Sequence, residues 1–182
     1  MMGIPMRGAL LAVFVLAFIV EACEEKITPS VLPTVDSKTI PQQESWDSHI
    51  VISDSGLVRA VIDAGYLSVY EGSQQTHMSN GVVVHFFDID GKQTSVMTSK
   101  EAIVDENTNN LEAIGNVLVV SDDSTKLRTE HLYWDNSRQL VHTPEFVQIN
   151  SPKEKLQGHG FESDQSLRNY KIFHVTGQAV PQ

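Results

Sequence analysis

The chain has 182 residues, with 13 Lys+Arg against 23 Asp+Glu, seven His, one Cys and a formal net charge of −10. That length supports one domain with a real core. The acidic balance excludes a nucleic-acid binder, which needs a basic face for phosphate contacts. A single cysteine excludes a disulfide framework and a Cys-rich zinc module.

Ala9–Val20 reads ALLAVFVLAFIV, an apolar run preceded by Arg7 and ended by Glu21. A spanning helix needs roughly 20 such residues, so this run fits the h-region of a secretory signal peptide. Val20-Glu21-Ala22-Cys23 follows and resembles a bacterial lipoprotein box, with Glu21 an unusual occupant. The expectation is a lipoprotein-type signal peptide over residues 1–22, lipidation of Cys23 and export of the rest. A short uncleaved anchor is the alternative. Residues 23–47 contain Pro29, Pro33 and Pro41 among polar residues and read as an extended tether.

The folded part is expected over residues 48–178. No proline occurs between Gln42 and His142, and Val appears 21 times against 13 Leu and 9 Ala. β-Branched residues favour strands, and no stretch sustains a helical apolar period. Short apolar runs instead alternate with turn residues. In order they are Leu57–Asp63, Tyr66–Tyr70, Gly81–Asp88, Thr94–Met97, Glu101–Asp105, Leu111–Ile114, Val117–Val120, Lys126–Thr129, Leu132–Trp134, Gln139–His142, Phe146–Ile149, Lys155–Gln157 and Tyr170–Thr176. Ser53-Asp54-Ser55-Gly56, Asp90-Gly91-Lys92 and Asp135-Asn136-Ser137 are typical of the links. The expected fold class is all-β and antiparallel: a sandwich, a jelly roll or a stack of short strands. A weak repeat with a period near 30 residues, read from Thr98-Ser99-Lys100, Arg128-Thr129-Glu130 and Gln157-Gly158-His159, places a turn at Asp105, Asp135 and Asp164.

Chemistry is sparse. The histidines lack metal-ligand spacing, and no metal site or cofactor is expected. His85, between Val84 and Phe86, reads as a residue on the alternate face of its strand. Asp88-Ile89-Asp90-Gly91-Lys92 lacks the later ligands of a calcium loop and reads as a hairpin turn. Nucleophile, phosphate-loop and dinucleotide motifs are absent, so the chain is expected not to be an enzyme. Glu101 and Asp135 are the carboxylates an enzymatic reading would test. Val82–Phe87 and Val117–Val120 are apolar on both faces, which predicts burial on both sides or one face lining an apolar cavity.

Several segments together resemble the LptC family of periplasmic lipopolysaccharide-export proteins, whose folded domain is shared with LptA and the OstA group. They are Ser53–Gly56, Gly81–Asp88, Gly91-Lys92 through Glu112–Val117, Leu127–Trp134 and Gly158–Asp164, in family order over about residues 50–177. Gly115, Asn116, Thr129, Gly158 and Gly160 belong to these motifs. The resemblance implies an open, twisted β-jelly roll with an apolar interior. It also implies a non-enzymatic role: lipopolysaccharide arrives from an inner-membrane ABC transporter and passes to an LptA-like periplasmic bridge protein.

Lipid contacts are expected at Ile62, Val69, Val82, Val84, Phe86, Val104, Val117 and Val119. The first and last strands, near Leu57–Asp63 and Tyr170–Thr176, are expected to be unpaired edges that extend the sheet into neighbouring proteins. The anchor departs from the best-known family pattern, in which one transmembrane helix stands where this chain has its lipoprotein-like segment. Localisation follows as periplasmic and membrane-anchored, on the inner membrane. A competing reading is an anchored β module that binds glycan or protein without lipid, through Tyr66, Tyr70, Tyr133 and Trp134.

Overall fold

A computed structural model describes residues 40–179, and every regular element among them is a strand. The signal segment, Cys23 and the tether as far as residue 39 lie outside the described residues. Ten strands run in order: β1 (Pro41–Asp54), β2 (Leu57–Tyr70), β3 (Gln75–Phe87), β4 (Gln93–Ser99), β5 (Glu101–Asp105), β6 (Leu111–Ser121), β7 (Lys126–Asp135), β8 (Leu140–Asn150), β9 (Lys155–Asp164) and β10 (Tyr170–Ala179). They form one antiparallel sheet in the order β1-β2-β3-β4-β6-β7-β8-β9-β10, with β5 continuing the β4 position between β3 and β6.

Many of the short runs read from the sequence are halves of one strand. Leu57–Asp63 and Tyr66–Tyr70 are both β2, and Leu111–Ile114 and Val117–Val120 are both β6. What separates them is a bend, not a turn. The register shifts at Ala64/Tyr66, Ile114/Val117, Arg128/Tyr133 and Thr143/Phe146, and β4 gives way to β5 at Lys100. Bulges of this kind bend a strand and increase its twist without removing it from the sheet. Here they line up across the sheet as a corner.

The corner folds the sheet on itself. One half carries residues such as Ile62, Val84 and Val119, and the other carries Val104, Leu132 and Phe161. Phe86 of the first half meets Trp134 of the second edge-on, with ring centroids 5.2 Å apart. The inner faces of both halves merge into one apolar core.

β1 was not read from the sequence. It begins at Pro41, so the stretch from Pro41 to Asp47 is strand where a tether was expected. The N-terminal edge is therefore β1, and Leu57–Asp63 is an inner strand paired on both sides. Proline is tolerated there because an edge strand has a side with no ladder to donate to. The C-terminal edge is β10, as expected.

Of the two expectations for Val82–Phe87 and Val117–Val120, burial on both sides is corrected, and one face alone turns into the apolar interior. Val82, Val84, Phe86, Val117 and Val119 are buried, while Val83, Phe87, Leu118 and Val120 remain half-exposed on the outside. A folded single sheet has one inner and one outer face. The outer apolar residues sit opposite Asp63, Arg128 and Lys126 across the strands. Long charged side chains can cover such surface with their stems.

Candidate functional site: the interior of the folded sheet

Of the eight positions expected to face the interior, seven are buried: Ile62, Val82, Val84, Phe86, Val104, Val117 and Val119. Val69 is partly buried and packs at the margin of the same core. Strand alternation places them. On β3, Val82, Val84 and Phe86 turn inward, and His85 turns outward with its Nδ1 2.9 Å from Gln93 Oε1. The interior also holds Met78, Met97, Leu127, Leu132, Trp134, Ile149, Phe161 and Leu167, which sequence reasoning did not single out.

Trp134 is a specific correction. The sequence reading offers it as an exposed aromatic platform, yet it is 1% exposed. The bulge between Arg128 and Tyr133 moves the inward parity of β7 by one residue, so Leu132 and Trp134 face in and Tyr133 faces out. A mid-strand bulge has no strong sequence signal, although Gly115-Asn116 marks the matching bend on β6.

The family-motif residues cluster at the corner. Gly115, Asn116 and Gly160 have positive φ (80°, 51° and 76°), as do Asn80 and Gly81 on β3. Thr129 Oγ1 donates to Phe146 O at 3.0 Å and to His131 O at 3.2 Å, tying β7 to β8 where their ladder lapses. Gly158 lies where β9 and β10 approach most tightly: a Cβ there would sit 2.2 Å from His174 O. These residues shape the fold line; Thr129 and Gly158 lie on the buried face, opposite Val117 and Val147, while Gly115, Asn116 and Gly160 do not.

Opposite the corner, the ends of the two halves form a mouth bordered by two rows of turns. On one row, Asp105, Asp135 and Asp164 each accept hydrogen bonds from the backbone two to four residues on. The weak repeat is therefore a repeat of aspartate-capped turns. Asp135 is held far below the usual carboxylate range, first by the Arg138 guanidinium and then by the Arg138 N–H and Ser137. On the other row, Asp88 accepts from the N–H groups of Asp90 and Lys92, confirming the hairpin reading of that loop.

The β9–β10 loop reaches across the mouth. Arg168 Nη2 donates to Asp122 Oδ1 and Oδ2 at 2.9 and 2.7 Å, and Lys92 Nζ donates to the same carboxylate at 2.9 Å. These two cations hold the Asp122 carboxyl below its ordinary value. Ser95 Oγ donates to Gln165 O at 2.6 Å, and Tyr170 Oη donates to Glu154 Oε1 at 2.7 Å. Leu167, with φ 56° and 1% exposure, plugs into the core between them. Burial and the Glu154 bond push the Tyr170 phenol up to about 12.

The interior is lined mainly by apolar side chains, and among the described residues it presents no nucleophile poised beside a base. Among the described residues, no three His, Cys, Asp or Glu side chains stand close enough to hold a metal ion. Glu101 is exposed at the start of β5, and Asp135 serves its own turn. The family model for lipopolysaccharide-assembly, LptC-related proteins matches residues 9–179. The chain belongs to the LptC family. No curated protein matches the chain. LptC membership makes it a periplasmic component of lipopolysaccharide transport, from a family of transport components and not of enzymes.

Proposed function

We propose that the interior between the two half-sheets carries the acyl chains of lipopolysaccharide. In this reading the domain accepts the lipid from an inner-membrane ABC transporter and passes it to an LptA-like periplasmic bridge protein. The N-terminal segment, lipidated at Cys23, holds it at the inner membrane. The observation that carries the reading is one continuous apolar face inside a bent sheet whose two edge strands, β1 and β10, each lack a second partner among the described residues.

The chemistry is consistent. Each methylene moved from water into such an interior contributes roughly 0.8 kcal/mol. The net charge of −10 repels anionic headgroups, which leaves binding to the apolar strands. Inner positions already fill one another, so chains enter by parting the halves at the mouth. Exposed apolar residues on the edges, Trp46 and Val51 on β1 and Phe173 and Val175 on β10, suit strand addition by neighbouring proteins.

Photo-crosslinking side chains at Val84, Phe86, Val104 and Val119 are expected to trap lipopolysaccharide. Failure at all four in a folded protein would overturn the reading. One observation favours a second role on the outer face. An open groove of about 660 Å³ at the corner is lined by Tyr133, His142, Pro144, His159 and Phe173, the aromatic setting a glycan prefers. Binding of soluble polysaccharide, with no capture of lipid at the inner positions, would favour that role instead.

A further inference from the structure

We propose that Trp134 and Ser163 form a hydrogen-bonding station inside the interior, which recognises the carbonyl at the ester or amide end of an acyl chain. The inference rests on the lipid-carrying reading and adds the part of the lipid that is read. Leu111, Trp134, Val141, Ser163 and Tyr170 are successive cross-strand partners on β6, β7, β8, β9 and β10. Trp134 and Ser163 are 1% and 2% exposed. The Trp134 Nε1 and Ser163 Oγ atoms are buried and have no hydrogen-bond partner among the described residues. Their row offers none: Leu111 and Val141 are apolar, and the Tyr170 hydroxyl is committed to Glu154.

Buried donors without partners are few in native proteins, and each costs stability. Both positions have an apolar counterpart of similar shape, Phe for Trp and Ala for Ser, that would remove the cost. Other buried polar side chains, such as Ser95 and Thr129, have partners within the protein, whereas Trp134 Nε1 and Ser163 Oγ face a largely apolar interior without one, which points to a partner that arrives with the cargo. The indole N–H can only donate, and the serine hydroxyl donates and accepts. A hydrocarbon tail supplies no acceptor. The carbonyl that joins the tail to its headgroup does.

Position supports that assignment. Trp134 and Ser163 directly precede Asp135 and Asp164, the aspartates that cap turns at the mouth. The row thus lies just inside the mouth, behind the loop that carries Gln165, Leu167 and Arg168. A chain whose tail occupies the core leaves its linkage there, with the glycan outside in water. Phe86, packed edge-on against Trp134, fixes the indole from the opposite half.

The test uses the full chain with Ser163→Ala and Trp134→Phe. Probes are purified lipopolysaccharide, a phospholipid with two ester-linked palmitoyl chains, and its dihexadecyl ether analogue. Each variant is expected to bind lipopolysaccharide and the ester lipid about fivefold more weakly, the worth of one net hydrogen bond, and the ether lipid unchanged. The urea midpoint of the lipid-free protein is expected to hold or rise. Equal weakening for ester and ether lipids, or no weakening for either, overturns the station while lipid carriage stands. If the unaltered protein binds none of the three probes, lipid carriage falls and the station with it. Should Trp134→Phe fail to fold, Ser163→Ala, which removes a single oxygen, decides alone.

Discussion

Gly158 has no room for a side chain. A Cβ at this position would meet His174 O at 2.2 Å and Ile172 Cγ2 at 2.7 Å, both parts of the paired strand β10. Gly158→Ala is therefore expected to cost about 2–4 kcal/mol, read as a lower urea midpoint. Gly115 differs: its φ of 80° asks for glycine, while the nearest contact is the flexible Lys100 side chain. Gly115→Ala should cost only about 1 kcal/mol by the same measurement. Inside the core, Phe86→Ala removes the ring that packs across the fold on Trp134, and a loss of about 3–5 kcal/mol is expected. Residue identity was readable where alternation is unbroken, as at Val82, Val84 and Phe86. It failed at Trp134 because a bulge one bend earlier inverts every face after it.

At the scale of elements, the β9–β10 loop is held by two groups whose titration the fold shifts in opposite directions, Asp122 and Tyr170. Asp122 is depressed by Lys92 and Arg168, so its contribution is present above the ordinary carboxylate value and is lost as pH falls through the lowered one. Tyr170 works from the other side. Its contribution is complete below 10.0, the ordinary tyrosine value, and fades as pH rises towards about 12. The protection factors of the amides of residues 165–170, corrected for the intrinsic pH dependence of exchange, are expected to be greatest near neutrality and to fall on acidification. Arg168→Ala should give fast exchange already at neutral pH, with the β2–β3 ladder unaffected. If loop protection is indifferent both to acid and to this substitution, the ion pairs do not hold the mouth. None of this was legible beforehand. Turn chemistry marks Asp164 and Asp122-Asp123, but pairing Arg168 with an aspartate 46 positions away requires the fold.

For the whole molecule, the two edges are where the proposed partners are expected to dock. Trp46 is 65% and Phe173 is 51% exposed, at opposite ends of the strand order. Photo-crosslinkers at these two positions are expected to capture different proteins in cells, the transporter side through β1 and the bridge side through β10. Capture of one and the same partner at both would contradict a through-passage of lipid. The all-β class and the antiparallel order followed from valine content and turn spacing. β1 did not, because Pro41 and the polar run Gln42–Ser45 resemble a linker when no partner strand is known.

The corner has one more consequence. Its bulges interrupt the β2–β3, β6–β7, β7–β8 and β8–β9 ladders at mid-length, so there each half-sheet keeps its own hydrogen bonds on its own side of the line. The fold line acts as the spine of a book whose pages are already bound. At those strands, turning a page breaks no pairing; it separates apolar side chains that face each other, together with the few polar bonds at the mouth. Under the proposed function, an acyl chain slipped between the pages would restore those apolar contacts as it enters. Spreading the book all at once would wet the entire interior, so a lipid carried there would pass at least cost if a leaf opened at a time, just ahead of it, and closed behind it.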